Sequence, residues 1–310
     1  MSAYRALAPA KVNLGLFLGP KRPSDDRHEL VTVMQSISLA DELTLEYAPS
    51  SVSDDEVICP GVAAPPQENL AAAALRAFRT ATGWDAPSLR LRILKRIPVA
   101  AGLAGGSADA AAALRLAARA SGLGDEELLR ELAAELGADV PAQVRPGRWL
   151  ATGAGERLLG LPDPNPPLGL LVLPLAAELS TARVYAEADR LGAGRGRREL
   201  DDRRRQLRRA LELGAPVPAA RELSANDLQR AAISLCPEIA AVLQQTQQAG
   251  AEQALLSGSG PTVVGLFSRA NALGRAERAA GELIQRVPAP ISARSVDAAF
   301  GQAVPVAAPG

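Results

Sequence analysis

The stretch PVAAGLAGGSADAA (residues 98–111) joins a strand-like alternation, LRLRIL at 89–94, to an alanine-rich segment whose pattern predicts a helix over 107–120, closed by Gly122 and Gly124. No other feature constrains the fold so tightly. A loop this poor in side chains lets its backbone N–H groups converge, and it delivers them to the positive end of a helix. Gly102, Leu103, Ala104, Gly105, Gly106 and Ser107 therefore predict an anion site, with phosphate the anion that suits it best. Ser107 can add its hydroxyl to a phosphate or to a phosphate-bound magnesium ion. A loop packed closely on a sheet, with Ser107 as an ordinary helix cap, has the same pattern.

Spacing narrows the choice of phosphate loop. The glycines do not form Gly-x-Gly-x-x-Gly, and Ser107 follows Gly106 without the lysine of a P-loop. The chain also lacks the Val-Ala-Ile-Lys strand and His-Arg-Asp loop of protein kinases.

Around this unit, alternating apolar residues over 4–18 and a second run over 30–47, interrupted near Ala40 and Asp41, predict strands. Residues 69–82 and 125–136 read as helices stopped by Gly83 and Gly137. Further strands are expected at 148–152, 168–174 and 291–296, and helices at 181–191, 237–249 and 270–286. LSGSGPT at 256–262 reads as a tight glycine turn between two short strands, and the last ten residues as a loose tail. This irregular alternation predicts an α+β fold rather than a doubly wound parallel sheet. The proline-rich LPDPNPP at 161–167 marks a boundary between units 1–160 and 161–310.

Composition bears on partners. Formal charge sums to zero over 310 residues, which argues against a nucleic-acid partner, and no apolar run is long enough to span a bilayer. Arg5 and Lys11 fall where a secretory signal would be apolar, so a cytoplasmic protein is expected. Cys59 and Cys236 match no metal spacing and read as separate thiols. The arginine-rich segment 192–218 reads as a solvated helix, its charge offset by Glu199, Asp201 and Asp202, with no function assigned. Among 34 basic residues only Lys11, Lys21 and Lys95 are lysines, and His28 is the only histidine, which removes any multi-histidine metal site. Nothing in the pattern specifies metal ligands or an oligomer.

The glycine stretch resembles the ATP-binding signature of the GHMP kinases, Pro-x-x-x-Gly-Leu-Gly-(Gly or Ser)-Ser, with Pro98 leading it and Ala104 where glycine is common. APAKVNLGL, RHELVTVMQSISLADELTL, ENLAAAA, LGADVP and LSGSGPTVVGLF extend the resemblance, in order, from about Leu7 to the final strand. They point to the branch of that family that phosphorylates a cytidine diphosphate-linked methylerythritol. The resemblance implies two domains, the first like ribosomal protein S5 domain 2 and the second ferredoxin-like. It implies transfer of the ATP γ-phosphoryl group to an alcohol, with Mg2+ accompanying ATP.

Carried over residue by residue, the resemblance makes Asp139 the catalytic base and Lys11 its electrostatic partner. Asn69 and Lys95 fall on the nucleotide side, Asn13 and Thr181 on the acceptor side, and His28 and Tyr185 at the cytosine. Gly258, Ser259 and Gly260 match a third motif that approaches the phosphate loop. The chain departs from the family at Arg27, where a tyrosine normally stacks on the base; a guanidinium can stack there too, or mark another substrate. A kinase of homoserine or mevalonate, and a nucleotide-binding protein without turnover, are the alternatives.

Overall fold

Two long strands frame the molecule. In the computed structural model, which describes residues 3–62, 69–216 and 221–306, they are β1 (Tyr4–Lys21) and β2 (His28–Tyr47), paired antiparallel. They are followed by β3 (Glu56–Ile58), α1 (Leu70–Thr82), β4 (Leu89–Leu94), α2 (Gly105–Ser121), α3 (Glu126–Leu136), α4 (Val140–Val144), β5 (Arg148–Gly153) and β6 (Arg157–Leu161). The chain continues through β7 (Gly169–Leu173), α5 (Thr181–Arg190), α6 (Arg197–Leu211), α7 (Gln229–Leu235) and α8 (Glu238–Gln248). It ends with β8 (Gln253–Leu256), β9 (Val263–Phe267), α9 (Ala272–Glu282), β10 (Ile291–Arg294) and β11 (Val304–Pro305).

Length gives β2 two partners besides β1. Its C-terminal half pairs β4 from Glu42↔Leu94 to Tyr47↔Leu89, and its N-terminal half pairs β5 from Leu30↔Gly153 to Gln35↔Arg148. The interruption expected near Ala40 and Asp41 is not a break. β2 runs through it, and the irregularity is a register shift: Pro9 faces Ala40 whereas Lys11 faces Ser36. The extra residues lie on β2, so this bulge bends β2 opposite Lys11.

Helix α2 fills the space under the first sheet because its residues are small. Ala108, Ala110 to Ala113, Leu114, Leu116 and Ala117 are buried against Leu75 and Phe78 of α1 and against Leu43, Leu45, Leu91 and Ile93 of the sheet. The helix begins at Gly105, before the expected Ser107, so Ser107 lies in its first turn and is not its cap.

The second sheet has the order β10-β7-β9-β8 with every pair antiparallel. Numbered along the chain, that is fourth, first, third, second, in a β-α-β-β-α-β succession: the ferredoxin-like arrangement. Leu171, Leu173, Val184, Ile239, Val242, Val263, Phe267 and Ala276 bury one face. Its other face packs on the first sheet, where Leu170, Val172, Val264 and Ala293 share one core with Val12, Val33, Ile37 and Leu103. The glycine loop is thus held where the two sheets meet.

Two expectations need correction. Residues 301–310 are not wholly a tail, since Val304–Pro305 pairs with Tyr4–Arg5 at the edge of the first sheet; residues 307–310 lie outside the described residues. The segment 192–218 holds α6, which buries Leu200, Leu207 and Leu211 and pairs Arg204 with Asp201 and Arg205 with Asp202 on its wet face. Its last residues, 217 and 218, also fall outside the description.

Candidate active site

Asp139 occupies the cap position before α4, but its side chain makes no capping hydrogen bond. The carboxylate instead faces Lys11, whose Nζ lies 3.4 Å from Oδ2. Lys11 is almost completely buried on β1, and its ammonium also donates to Asn13 Oδ1 at 2.9 Å. Alternation along β1 puts Lys11 and Asn13 on one face. Asn13 Nδ2 donates to Thr32 Oγ1 at 2.8 Å, and that hydroxyl donates to the Gly15 carbonyl at 2.7 Å. The chain of donors fixes the Asn13 amide, which in turn orients the ammonium.

These groups wall a cleft of about 780 Å³ that also takes in Arg27, His28, Gly102, Ala104, Ser107, Thr181, Tyr185, Gly258 and Ser259. Thr181 Oγ1 and Ser259 Oγ are 2.9 Å apart and tie the start of α5 to the third glycine turn. His28 and Tyr185 rings meet with centroids 5.7 Å apart at a tilt of 43°. Burial, reinforced by the nearby Asp139 charge, pushes the Tyr185 phenol up to about 12, so it stays a neutral ring at physiological pH. Arg27 donates to the Ala154 carbonyl at 3.2 Å, which holds its guanidinium at the cleft wall beside the turn between β5 and β6.

A second pocket, of about 360 Å³, lies across the loop. It is lined by Asn69, Lys95, Pro98, Gly102, Leu103, Ala104, Gly105, Gly106 and Asp109, among others, and shares Gly102 and Ala104 with the first. Asn69 caps α1 by accepting from the Ala71 N–H at 2.9 Å. Gly102 has φ +74°, and a Cβ there would come within 2.5 Å of the Gly260 carbonyl oxygen. Gly260 thus lines neither pocket; it braces the loop from behind. Ala104 is held at φ +56°, the left-handed region that explains why glycine is common at its position in the family signature.

Lys95 is locked between two carboxylates, 2.5 Å from Asp41 Oδ2 and 2.7 Å from Asp109 Oδ2. Asp41 is fully buried and also accepts the Arg96 and Ile97 N–H groups, so it anchors the chain entering the loop. Burial pushes the Asp109 carboxyl up to about 7, against the pull of Lys95 and with help from Asp41. The structure brings all three lysines of the chain to these two pockets: Lys11 and Lys21 to the cleft, Lys95 to the other.

Sequence reasoning missed several groups that complete the site. Asn226 donates to the carbonyls of both Leu256 and Gly258 at 2.8 Å and so sets the third glycine turn. Asp189, one helical turn after Tyr185, pairs with Lys21 at 3.0 Å. An acid inside the apolar run of β2 was the available signal for Asp41; Asn226 and Asp189 sit in ordinary polar surroundings that give none.

Known proteins resemble this chain in sequence and fold. The GHMP kinases N terminal domain model matches residues 69–147, and the GHMP kinases C terminal model matches residues 206–285. The chain belongs to the GHMP kinase family. This GHMP kinase is 43% identical over 265 residues to the 4-diphosphocytidyl-2-C-methyl-D-erythritol kinase of Anaeromyxobacter dehalogenans, covering 84% of this chain and 80% of that one. It is 43% identical over 284 residues to the enzyme of the same name from Salinispora arenicola, covering 90% and 87%. Among solved structures, a 4-(cytidine 5'-diphospho)-2C-methyl-D-erythritol kinase superposes with a TM-score of 0.72 at 33% identity, over 94% of this chain and 98% of that one. A homoserine kinase from Cytophaga hutchinsonii superposes as well, at 0.74 with 16% identity over 98% of each chain. The backbone is therefore common to GHMP kinases with different acceptors, and substrate choice has to be read from side chains. No helix among the described residues is long and apolar enough to cross a membrane.

Proposed function

We propose that the chain transfers the γ-phosphoryl group of ATP to the 2-hydroxyl of 4-diphosphocytidyl-2-C-methyl-D-erythritol. One observation carries this reading: the cleft that holds the Lys11–Asp139 pair meets the second pocket at Gly102 and Ala104, so an alcohol and a triphosphate can meet at one loop. Identity of about 43% with enzymes of that name supports the acceptor.

In this reading Asp139 accepts the hydroxyl proton as the alcohol oxygen attacks phosphorus, and Lys11 steadies the negative charge on both. Asn13 orients Lys11. The N–H groups at the start of α2 hold the phosphates, and Lys95, its charge offset by Asp41 and Asp109, braces the wall of their pocket. His28 and Tyr185 receive the pyrimidine, so binding energy from a remote ring positions the hydroxyl. Residues 1–160 supply the nucleotide pocket and the base; residues 161–310 supply Tyr185, Thr181 and the third glycine turn, with β11 returning to the first sheet.

Magnesium fits this pocket as an ion carried chiefly by phosphate. No group of three or more His, Cys, Asp or Glu side chains among the described residues could hold a metal alone. Asp109 Oδ1 is buried without a hydrogen-bond partner in the second pocket, whereas Ser107, two residues earlier on α2, opens onto the cleft. Either oxygen would suit magnesium brought in on phosphate, which neutralises triphosphate charge. We place the enzyme in the cytoplasm, where Cys59 and Cys236 remain thiols.

Release of ADP measured in parallel with the cytidyl alcohol, mevalonate and homoserine tests the reading. Turnover with the cytidyl alcohol far above the other two is expected. Turnover with mevalonate or homoserine alone moves the acceptor assignment, and ATP binding without turnover on any alcohol removes the enzymatic one.

A further inference from the structure

Resting on the acceptor just proposed, we infer that Arg27 is a substrate-binding residue for that acceptor's diphosphate: its guanidinium meets the negative charge lying between the pyrimidine and the alcohol, not the face of the base.

Of the lysines and the arginine that line the cleft, both lysines are matched by carboxylates. Lys11 faces Asp139 at 3.4 Å, and Lys21 faces Asp189 at 3.0 Å and Asp26 at 3.8 Å. Among the described residues no carboxylate pairs with the Arg27 guanidinium, whose hydrogen bond goes to a backbone carbonyl. The nearby Asp25 is spent on Arg22, whose Nε donates to it at 3.1 Å; from Arg27 it accepts the backbone N–H, at 3.2 Å. One cation of the cleft is therefore left for charge that the ligand brings.

Position selects the part of the ligand. The Arg27 backbone adjoins His28, at the end of the cleft assigned to the pyrimidine, whereas its Nη2 donates to the Ala154 carbonyl at 3.2 Å. The turn at Ala154 and Gly155 lies against Ala138, the neighbour of Asp139: a Cβ on Gly155 would stand 3.8 Å from the Ala138 Cβ. The side chain thus runs from the pyrimidine end toward the alcohol end, along the stretch where the acceptor carries its diphosphate. Beyond burial, the Tyr185 hydroxyl feels the charge of Asp139 and then that of Arg27, so the guanidinium looks into that same stretch. Among the described residues Arg27 lies over no aromatic ring, in contrast to Arg79, Arg130 and Arg195.

The guanidinium is held there before any ligand arrives. Glu156 accepts the Ala154 N–H at 2.6 Å through one oxygen and Arg22 Nη1 at 2.5 Å through the other, which joins the hairpin between β1 and β2 to the turn between β5 and β6. The hydrogen bond to Ala154 fixes the fork and leaves its remaining donors free. Parallel N–H groups match neighbouring phosphate oxygens, and such charge-assisted bonds are about twice as strong as neutral ones. A fork placed in advance loses little entropy on binding. The tyrosine common in the family at this position brings no charge; Arg27 makes affinity depend on the acceptor's anion.

The test is calorimetric binding of cytidine and CDP to the whole protein, its second pocket filled with a non-hydrolysable ATP analogue, in wild type, Arg27→Gln and Arg27→Lys, together with steady-state kinetics on the cytidyl alcohol. Arg27→Gln should weaken CDP about 10- to 100-fold, flatten the salt dependence of that binding, and leave cytidine within about twofold. Arg27→Lys, which keeps the charge, should recover part of the CDP affinity. In the kinetics, KM for the alcohol should rise in Arg27→Gln while kcat and the KM for ATP hold. Cytidine and CDP weakened alike would place the guanidinium on the base, a raised KM for ATP would place it on the triphosphate, and CDP binding that is unchanged, or absent in wild type, would make it a bystander; each overturns the inference. Wild type that binds CDP through Arg27 yet turns over no cytidyl alcohol contradicts the proposed reaction and leaves the diphosphate contact standing.

Discussion

The Lys11 backbone N–H donates to the Leu103 carbonyl at 3.1 Å. The strand that carries the buried ammonium of the cleft is thereby joined to the middle of the glycine loop. One residue serves both pockets, its backbone setting the loop and its side chain facing Asp139. Position along β1 therefore fixes the separation between the Lys11 side chain and the glycine loop.

Gly102 should tolerate no side chain. A Cβ there meets the Gly260 carbonyl, which is backbone and cannot swing aside, at a φ of +74° that also strains any L residue. Gly102→Ala is expected to destabilise the protein by about 1–3 kcal/mol and to weaken ATP binding by about tenfold or more. Thermal melts and a nucleotide titration check this; unchanged values would mean the loop and turn are free to separate.

Asn226→Ala should disturb the same contact from the other side. It removes the donor shared by the Leu256 and Gly258 carbonyls, and two buried acceptors lose their partner. A loss of about 1–3 kcal/mol in stability is expected, with a rise in KM for the alcohol larger than that for ATP. Denaturant unfolding and steady-state kinetics read the two effects separately.

Asp109 makes stability depend on pH in a stated direction. Its carboxyl titrates at about 7 when folded, raised from 3.8 chiefly by burial. Between those values the folded chain keeps a proton that the unfolded chain has lost, so this group's stabilisation is full below about 4 and is gone above about 7. Asp109→Asn removes that titration. Melts of the ligand-free protein should show the stability of the variant, relative to wild type, rising from pH 4 to pH 7 and levelling beyond. A difference independent of pH would contradict the assignment.

Legibility in the sequence followed the range of the interactions involved. The helices α1 and α3, their glycine stops at Gly83 and Gly137, and the alternation of β4 depend on neighbours along the chain, and each lies where the pattern puts it. The glycine loop was legible for the same reason, and only its helix start was misplaced, because Ala104 rather than Ser107 takes the boundary position. Asp139 would pass for a helix cap by itself; the motif order singled it out, and its carboxylate proves unused for capping. Asp41, Asn226 and Asp189 act on groups remote in sequence, and no local period registers such pairings. β11 escaped notice likewise, since two residues on a sheet edge carry no pattern.

Kinetics of ADP release for wild type, Asp139→Asn, Lys11→Met and the double variant test most directly whether the carboxylate and the ammonium act as one unit. Each single change should lower kcat roughly 100- to 10,000-fold while both KM values stay within about threefold, and the double variant should lose little more than the worse single. Asp139→Asn with kcat near that of wild type would contradict the account.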